Sequence, residues 1–273
     1  MLDGTPEDVI LRYQSLPELA QQSDFGILDK DVVVLDTETT GLSFNHDELI
    51  QIAAARMRGA KVVDWYVTLV DHDEDLIGAP KPDEALRGLV DFVGDSLVVA
   101  HNVSFDKTFV TSHPSGYPLL QNIWLDSLDL SRIVLPRMKS HRLIDLVRAF
   151  DAPISTHRAD ADVAATCVVY RILLAGVASM PLPLVQAIAD MAPLEQWSTG
   201  FVFCQMAQLM AGDGEQGNSV DGETPHKRLF SLQALRQRRI TELPNRIAKK
   251  DADDLVGSLV YPTAEQINDA FSA

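Results

Sequence analysis

Residues 32–42, VVVLDTETTGL, constrain the fold more than any other stretch. Val32–Leu35 is a continuous apolar run, the pattern of a strand buried on both faces, and it leads directly into Asp36-Thr37-Glu38. Side chains at i and i+2 of a strand share a face, so Asp36 and Glu38 set two carboxylates side by side at the end of a core strand. Desolvating an unpaired carboxylate costs several kcal/mol. Something positive must therefore sit beside them.

Two further acids occupy comparable places. In LVVAHNVSFDK, residues 97–107, an apolar strand and a polar turn precede Asp106 in the first turn of a helix. In HRADADVAATCVVYRIL, residues 157–173, Asp162 opens a helix whose apolar partners are Val163, Cys167 and Tyr170. Alone, each is an ordinary first-turn acid, favoured by the helix dipole by about 0.3–1 kcal/mol. Together they bring four carboxylates to strand ends and helix starts, where open α/β sheets bind ligands. An all-oxygen set without Cys or a tight His pair suits hard cations, Mg²⁺ or Mn²⁺. Two such ions about 4 Å apart would offset the repulsion and clamp a phosphodiester. His157 lies five residues before Asp162, and five helical steps rotate a side chain by roughly 140°. It reaches the same site only from the segment before the helix, where an unperturbed pKa near 6.5 suits a general base.

The surrounding pattern gives an α/β fold with a mixed sheet flanked by helices. Residues 1–28 read as a helical lead-in, with Ile10, Tyr13, Leu16 and Leu19 at helical spacing. Leu49–Met57 and Lys61–Val70 read as strands joined by a hairpin at Arg58-Gly59-Ala60. A helix opens at Pro82, Leu97–Ala100 is a short buried strand, a helix starts at Asn102, and Ile123–Leu125 reads as a last strand. Helices are expected at about 127–135, 141–150 and 158–178, which closes a core domain at residues 29–178. A helical extension, 179–210, has patterns at 183–192 and 194–211. A Gly-rich acidic linker, 211–225, and a basic helical tail, 226–273, complete the chain.

Composition narrows the classes. The net charge is −16, which argues against nucleic acid unless cations or local basic stretches intervene. Such stretches exist: Arg132, Arg137, Lys139, His141, Arg142 and Arg148 fall together, and His226–Lys250 carries eight Lys/Arg against one acid, Glu242. Cys167 and Cys204 lie in apolar surroundings, as small buried side chains of a reducing, cytoplasmic compartment. The start MLDGTPEDVI lacks a basic and apolar leader, and the stretch from Ile172 is broken by Pro181 and Pro183, so neither secretion nor a membrane is expected. Gly212-Asp-Gly214-Glu-Gln-Gly217 spells a dinucleotide fingerprint but follows a helix and carries two acids, so it is no pyrophosphate site.

These residues resemble the DnaQ-like (DEDD) 3′→5′ exonucleases, in the branch with a histidine in the third motif. VLDTETTGL resembles the first motif, VVAHNVSFD the second, and HRADAD the third, over about residues 30–175. The resemblance implies an RNase H-like fold and hydrolysis of nucleic acid from the 3′ end to nucleoside 5′-monophosphates. It implies that Asp36, Glu38, Asp106 and Asp162 bind two cations, with His157 activating water. Thr39, Thr40, Leu42 and Asn102 would hold the substrate, while Phe105 and Leu143 are core. The stretch VDHDEDLIGAPKPDEAL is shorter and more acidic than the substrate-bordering insert of many such enzymes, which favours single-stranded or short ends. MPLPLVQAIADMAPLEQW resembles the segment joining exonuclease domains to DinG-type helicases. Two other readings are an oligoribonuclease-like RNA-trimming activity and a nuclease-like docking module for a helicase or polymerase. Four mutually repelling acids plus His157 disfavour the docking module.

Overall fold

The first strand, β1 (Val32–Thr39), runs through the middle of a five-stranded sheet in the order β3-β2-β1-β4-β5. In this computed structural model the described residues are 1–22, 31–71, 78–153 and 158–215. β2 (Leu49–Arg58) pairs antiparallel with β1, and β3 (Lys61–Leu69) antiparallel with β2. Gly59, at φ +56°, makes the hairpin turn in a backbone region that side chains disfavour. β4 (Leu97–Ala100) and β5 (Trp124–Asp126) run parallel to β1 on its other side. This is the expected mixed RNase H-like sheet.

Helices cover the sheet as the strand alternation requires. Val33, Leu35, Ile52, Ala54 and Val98 pack with Leu86 and Leu89 of α2 (Pro82–Val93) and Phe109 and Val110 of α3 (Val103–Ser112). A 3₁₀ helix, Pro114–Gln121, follows α3. α4 (Ser127–Val134), α5 (Leu143–Phe150) and α6 (Ala159–Ala178) complete the domain, with α1 (Glu7–Gln22) preceding β1. By length and composition alone α6, which ends before Pro181, is long and apolar enough to cross a membrane. It is a core helix, with 72% of its apolar window buried and two acids, Asp160 and Asp162, in its first turn.

The chain divides into two compact units, Met1–Gly176 and Val177–Ala273. The lead-in helix therefore belongs to the sheet's own unit: Tyr13 and Leu16 are buried, and Arg171 of α6 donates to the Ala20 carbonyl. In the second unit α7 (Leu182–Ala189) is followed by α8 (Gly200–Glu215), where Trp197 stacks on Phe203 at 5.8 Å. The helix expected from residue 194 starts instead at Gly200, because Pro193 to Trp197 form a turn closed by Gln196 and Trp197 N–H bonds to the Pro193 carbonyl. It then continues to Glu215, five residues into the expected linker, since extending an existing helix is far easier than starting one. Residues 216–225 and the tail 226–273 lie outside the described residues.

Candidate active site

Alternation along β1 decides the geometry. Val33, Leu35 and Thr37 face α2 and α3, so Asp36 and Glu38 face the opposite side. Across the ladder Asp36 pairs with Ala53 and Glu38 with Gln51. Ala53 is fully buried and small, which leaves room for the carboxylate beside it. On this face α6 brings Asp162, and one carboxylate oxygen from each of Asp36, Glu38 and Asp162 lies within 4.8 Å of the others. Gln51 Oε1 accepts the N–H of Ala159 at 3.3 Å, which ties the start of α6 to the strand position opposite Glu38.

Asp106 arrives from the other side of the sheet. β1 pairs with β4 only from Val32↔Leu97 to Val34↔Val99, so beyond Val34 that flank of β1 has no strand. Asp106 Oδ1 fills it, accepting the Thr37 N–H at 2.9 Å and the Thr37 hydroxyl at 2.8 Å. The residue is 2% exposed. α3 is set for this by Asn102, a left-handed residue at φ 70°, ψ 55°, which turns the chain from β4 into the helix. Asp126, at the end of β5, accepts the Asn102 N–H at 3.0 Å and caps α4 by accepting the Leu128 N–H at 2.9 Å.

Burial and the neighbouring acids together raise two of the carboxyls. Burial pushes the Asp36 carboxyl well above its ordinary value, and the charges of Asp106, Asp162 and Glu38 push it further. Burial also raises Asp106, to about 7, against the two bonds from Thr37, which pull it down, and with a smaller upward push from Asp126. Two raised carboxyls beside two more acids make a site that lacks positive charge. A hard divalent cation supplies that charge, and the all-oxygen donor set suits it.

Of the remaining predicted residues, Thr39 ends β1, Thr40 and Leu42 lie on the loop after it, and Asn102 precedes α3. Thr39 donates its hydroxyl to the Gly41 carbonyl at 2.5 Å, and the Thr40 hydroxyl accepts the Glu48 N–H at 3.0 Å, so both shape the loop they belong to. Leu42 is 88% exposed, and Phe44, which the sequence reading passed over, is 51% exposed on the same loop. Asn102 is exposed and makes no side-chain cap bond to α3. Phe105 and Leu143 are partly buried. α6 begins at Ala159, two residues past His157, and His157 itself lies outside the described residues. So do residues 72–77 of the acidic stretch. Thr37, Gln51 and Asp126 are the site neighbours that sequence reading missed. The register Glu38↔Gln51 is set across the loop between β1 and β2, so no local signal pointed to Gln51. A 330 Å³ hollow is lined by Asp47 and Glu48 of the loop after β1 together with Leu49, Leu86 and Phe109, and none of the four carboxylates lines it.

The carboxylate cluster sits at the open end of the central strand of this mixed sheet, where open α/β sheets bind ligands, with a donor set suited to a metal-dependent hydrolase. The family model RNase_T, described as Exonuclease, matches residues 33–170, just over half the chain, and the chain belongs to that exonuclease family. It is similar to the PolC-type DNA polymerase III of Halalkalibacterium halodurans, 32% identical over 169 residues, covering 55% of this chain and 12% of that protein. To the PolC-type DNA polymerase III of Bacillus subtilis it is 31% identical over 186 residues, covering 60% of this chain and 12% of that protein. The chain thus spans about an eighth of the length of these curated relatives. Among solved structures it is similar to Exonuclease X in complex with 5′ overhanging duplex DNA, at 20% identity over 52% of this chain and 90% of that one, TM-score 0.42. It is also similar to E. coli Exonuclease I in complex with a dA16 oligonucleotide, at 19% identity over 59% of this chain and 44% of that one, TM-score 0.44.

Proposed function

We propose that this chain is a metal-dependent 3′→5′ exonuclease that releases nucleoside 5′-monophosphates from the 3′ ends of single-stranded nucleic acid. The observation that carries this reading is the meeting of Asp36, Glu38 and Asp162 oxygens within 4.8 Å, with Asp106 locked to the intervening Thr37. These four residues would hold two Mg²⁺ or Mn²⁺ ions. When bound, such ions offset the carboxylate repulsion and stabilise charge on the attacking and leaving oxygens.

The chain's own residues do the rest. Asp106 is fixed by Thr37, so its carboxylate does not reorganise during the reaction. His157 accepts the proton of the attacking water, from its place just ahead of α6. Thr39, Thr40 and Asn102 hold the terminal nucleotide, and Leu42 wedges against its base from a fully solvated position. The polymerase relatives support DNA as the substrate class, and a polymerase or a DinG-type helicase is the proposed companion module.

Digestion of 3′- and 5′-labelled single-stranded DNA and RNA, with Mn²⁺ or with chelator, tests this. Stepwise loss of the 3′ label with Mn²⁺ and none in chelator is expected, with DNA cut faster than RNA. Faster cutting of RNA assigns an oligoribonuclease-like role, and no cutting of either leaves a docking module.

A further inference from the structure

Each helix that brings a carboxylate to β1 is held, one turn before that carboxylate, by a side-chain acceptor at a strand end. For α3 the acceptor is Asp126 Oδ1, which takes the Asn102 N–H at 3.0 Å, and Asp106 follows four residues later. For α6 it is Gln51 Oε1, which takes the Ala159 N–H at 3.3 Å, and Asp162 follows three residues later. We propose that Asp126 and Gln51 are positioning residues of the nuclease site, setting the height of Asp106 and Asp162 against Asp36 and Glu38. The inference rests on the two-cation reading of the site.

Ordinary helix capping accounts for only part of the arrangement: Asp126 caps its own helix, α4, but neither acceptor belongs to the helix it steadies, α3 or α6. A cap residue normally serves its own helix, and the residue preceding α3, Asn102, gives that helix no side-chain bond. The acceptor instead comes from a neighbouring strand, at the same height as the reacting end of the sheet: Asp126 pairs with Ala100 of β4, and Gln51 pairs with Glu38 of β1. Asn102 is also held left-handed at φ 70°, a region that few residues other than glycine and asparagine adopt. The Asp126 bond to its N–H helps hold the chain there. Asp126 Oδ1 further ties the same elbow to α4 through Leu128, so one oxygen joins the ends of β4 and β5.

Without these acceptors the two helices keep their packing but lose their register against β1. The carboxylates then meet the cations less well, while the substrate loop, which closes on its own hydrogen bonds, is unaffected. His101 Nε2 still donates to the His141 carbonyl at 3.0 Å, so the elbow stays near its place in a variant of Asp126. Partners in this second layer of metal sites cost about 10–100-fold in metal affinity or activity when removed.

The test compares Asp126→Leu, Asp126→Asn and Gln51→Met in the full chain. Two quantities are read: the Mn²⁺ concentration giving half of the metal-induced rise in melting temperature, and kcat with KM on a 3′-labelled single strand. Asp126→Leu and Gln51→Met should raise the Mn²⁺ midpoint and lower kcat by about tenfold or more, and Gln51→Met, which does not touch Asn102, should keep KM within about threefold of wild type. Asp126→Asn, whose amide oxygen still accepts both N–H groups, should stay within about threefold on every measure. Should Asp126→Leu fail to fold, Gln51→Met carries the test, since its side chain keeps the length of glutamine. The proposal is overturned if both variants lower the metal-free melting temperature yet keep the wild-type Mn²⁺ midpoint and kcat, for then they are caps alone. It is equally overturned if Asp126→Asn is as impaired as Asp126→Leu, for then charge and not acceptance matters. A wild-type chain that shows no Mn²⁺-induced stabilisation removes the two-cation reading itself, and is recognised before any variant is compared.

Discussion

Thr37 gives both of its donors to one oxygen of Asp106, the N–H at 2.9 Å and the hydroxyl at 2.8 Å. A side chain on α3 thereby completes the hydrogen bonding of β1 where β4 has already turned away, just past Val34↔Val99. The acid that helps close the sheet is also a candidate metal ligand, so fold and chemistry share a single carboxylate.

Thr37→Val keeps the backbone bond and removes the hydroxyl one. Stability should fall by about 0.5–1.5 kcal/mol, the net worth of a neutral hydrogen bond. The hydroxyl bond pulls the Asp106 pKa down, so its loss should raise that pKa and move the acid limb of the pH–rate profile to higher pH. Urea melts and Mn²⁺-supported rates across pH measure both, and an unmoved acid limb would count against the link.

Metal-free stability should depend on pH through the same group. Asp106 is raised from 3.8 to about 7 in the fold, so the folded chain holds its proton more tightly than the unfolded chain does. That contribution is complete below the unfolded value and is lost as pH rises through about 7; Asp36 shifts in the same direction. In chelator the melting temperature should therefore be higher near pH 5.5 than near pH 8, and Asp106→Asn should shrink the difference. General repulsion in a chain of net charge −16 acts the same way, so the contrast between variant and wild type is what decides. An equal pH difference in both would dissociate Asp106 from the effect.

Ligand and base should separate by substitution. Asp36→Ala should lose activity together with Mg²⁺- or Mn²⁺-induced stabilisation, and its metal-free form should melt no lower than wild type because a repelling acid is gone. His157→Ala should keep the metal-induced stabilisation while turnover falls by about 10²–10⁴-fold. Near-normal turnover in His157→Ala would remove the histidine from the mechanism.

The sheet and the four acids could be read from the sequence because local pattern determines them. Val32–Leu35 and Leu97–Ala100 are apolar throughout, and Gly59 marks the hairpin between β2 and β3. Asp126 and Gln51 could not be read in the same way. Their partners, Asn102 and Ala159, lie 24 and 108 residues away in the chain and meet them only after the strands register. The 3₁₀ helix Pro114–Gln121 was also missed, since Pro114, Gly116 and Pro118 look like loop residues. Gly116 is required there because an added Cβ would meet the Val110 carbonyl oxygen at 1.7 Å.

Leu42→Ala should leave the fold untouched, because the side chain is 88% exposed. Its melting temperature should change by no more than about 0.5 kcal/mol of stability would cause, while KM for a single-stranded 3′ end rises. If KM is unchanged, Leu42 does not touch the terminal base.

The loop after β1 holds its shape without the two side chains it displays. Thr40 N–H bonds to the Glu48 carbonyl at 2.9 Å and Ser43 N–H to Asp47 Oδ2 at 2.8 Å. A Cβ at Gly41 would lie 2.6 Å from the Asp47 carboxylate that accepts the Ser43 N–H, whereas Leu42 is 88% exposed and Phe44 51%. On the proposed function, a lineage can exchange those two residues and acquire a taste for a different strand end while every inherited hydrogen bond of the catalytic frame stays in place. Innovation and constraint are thus separated by a single residue of chain.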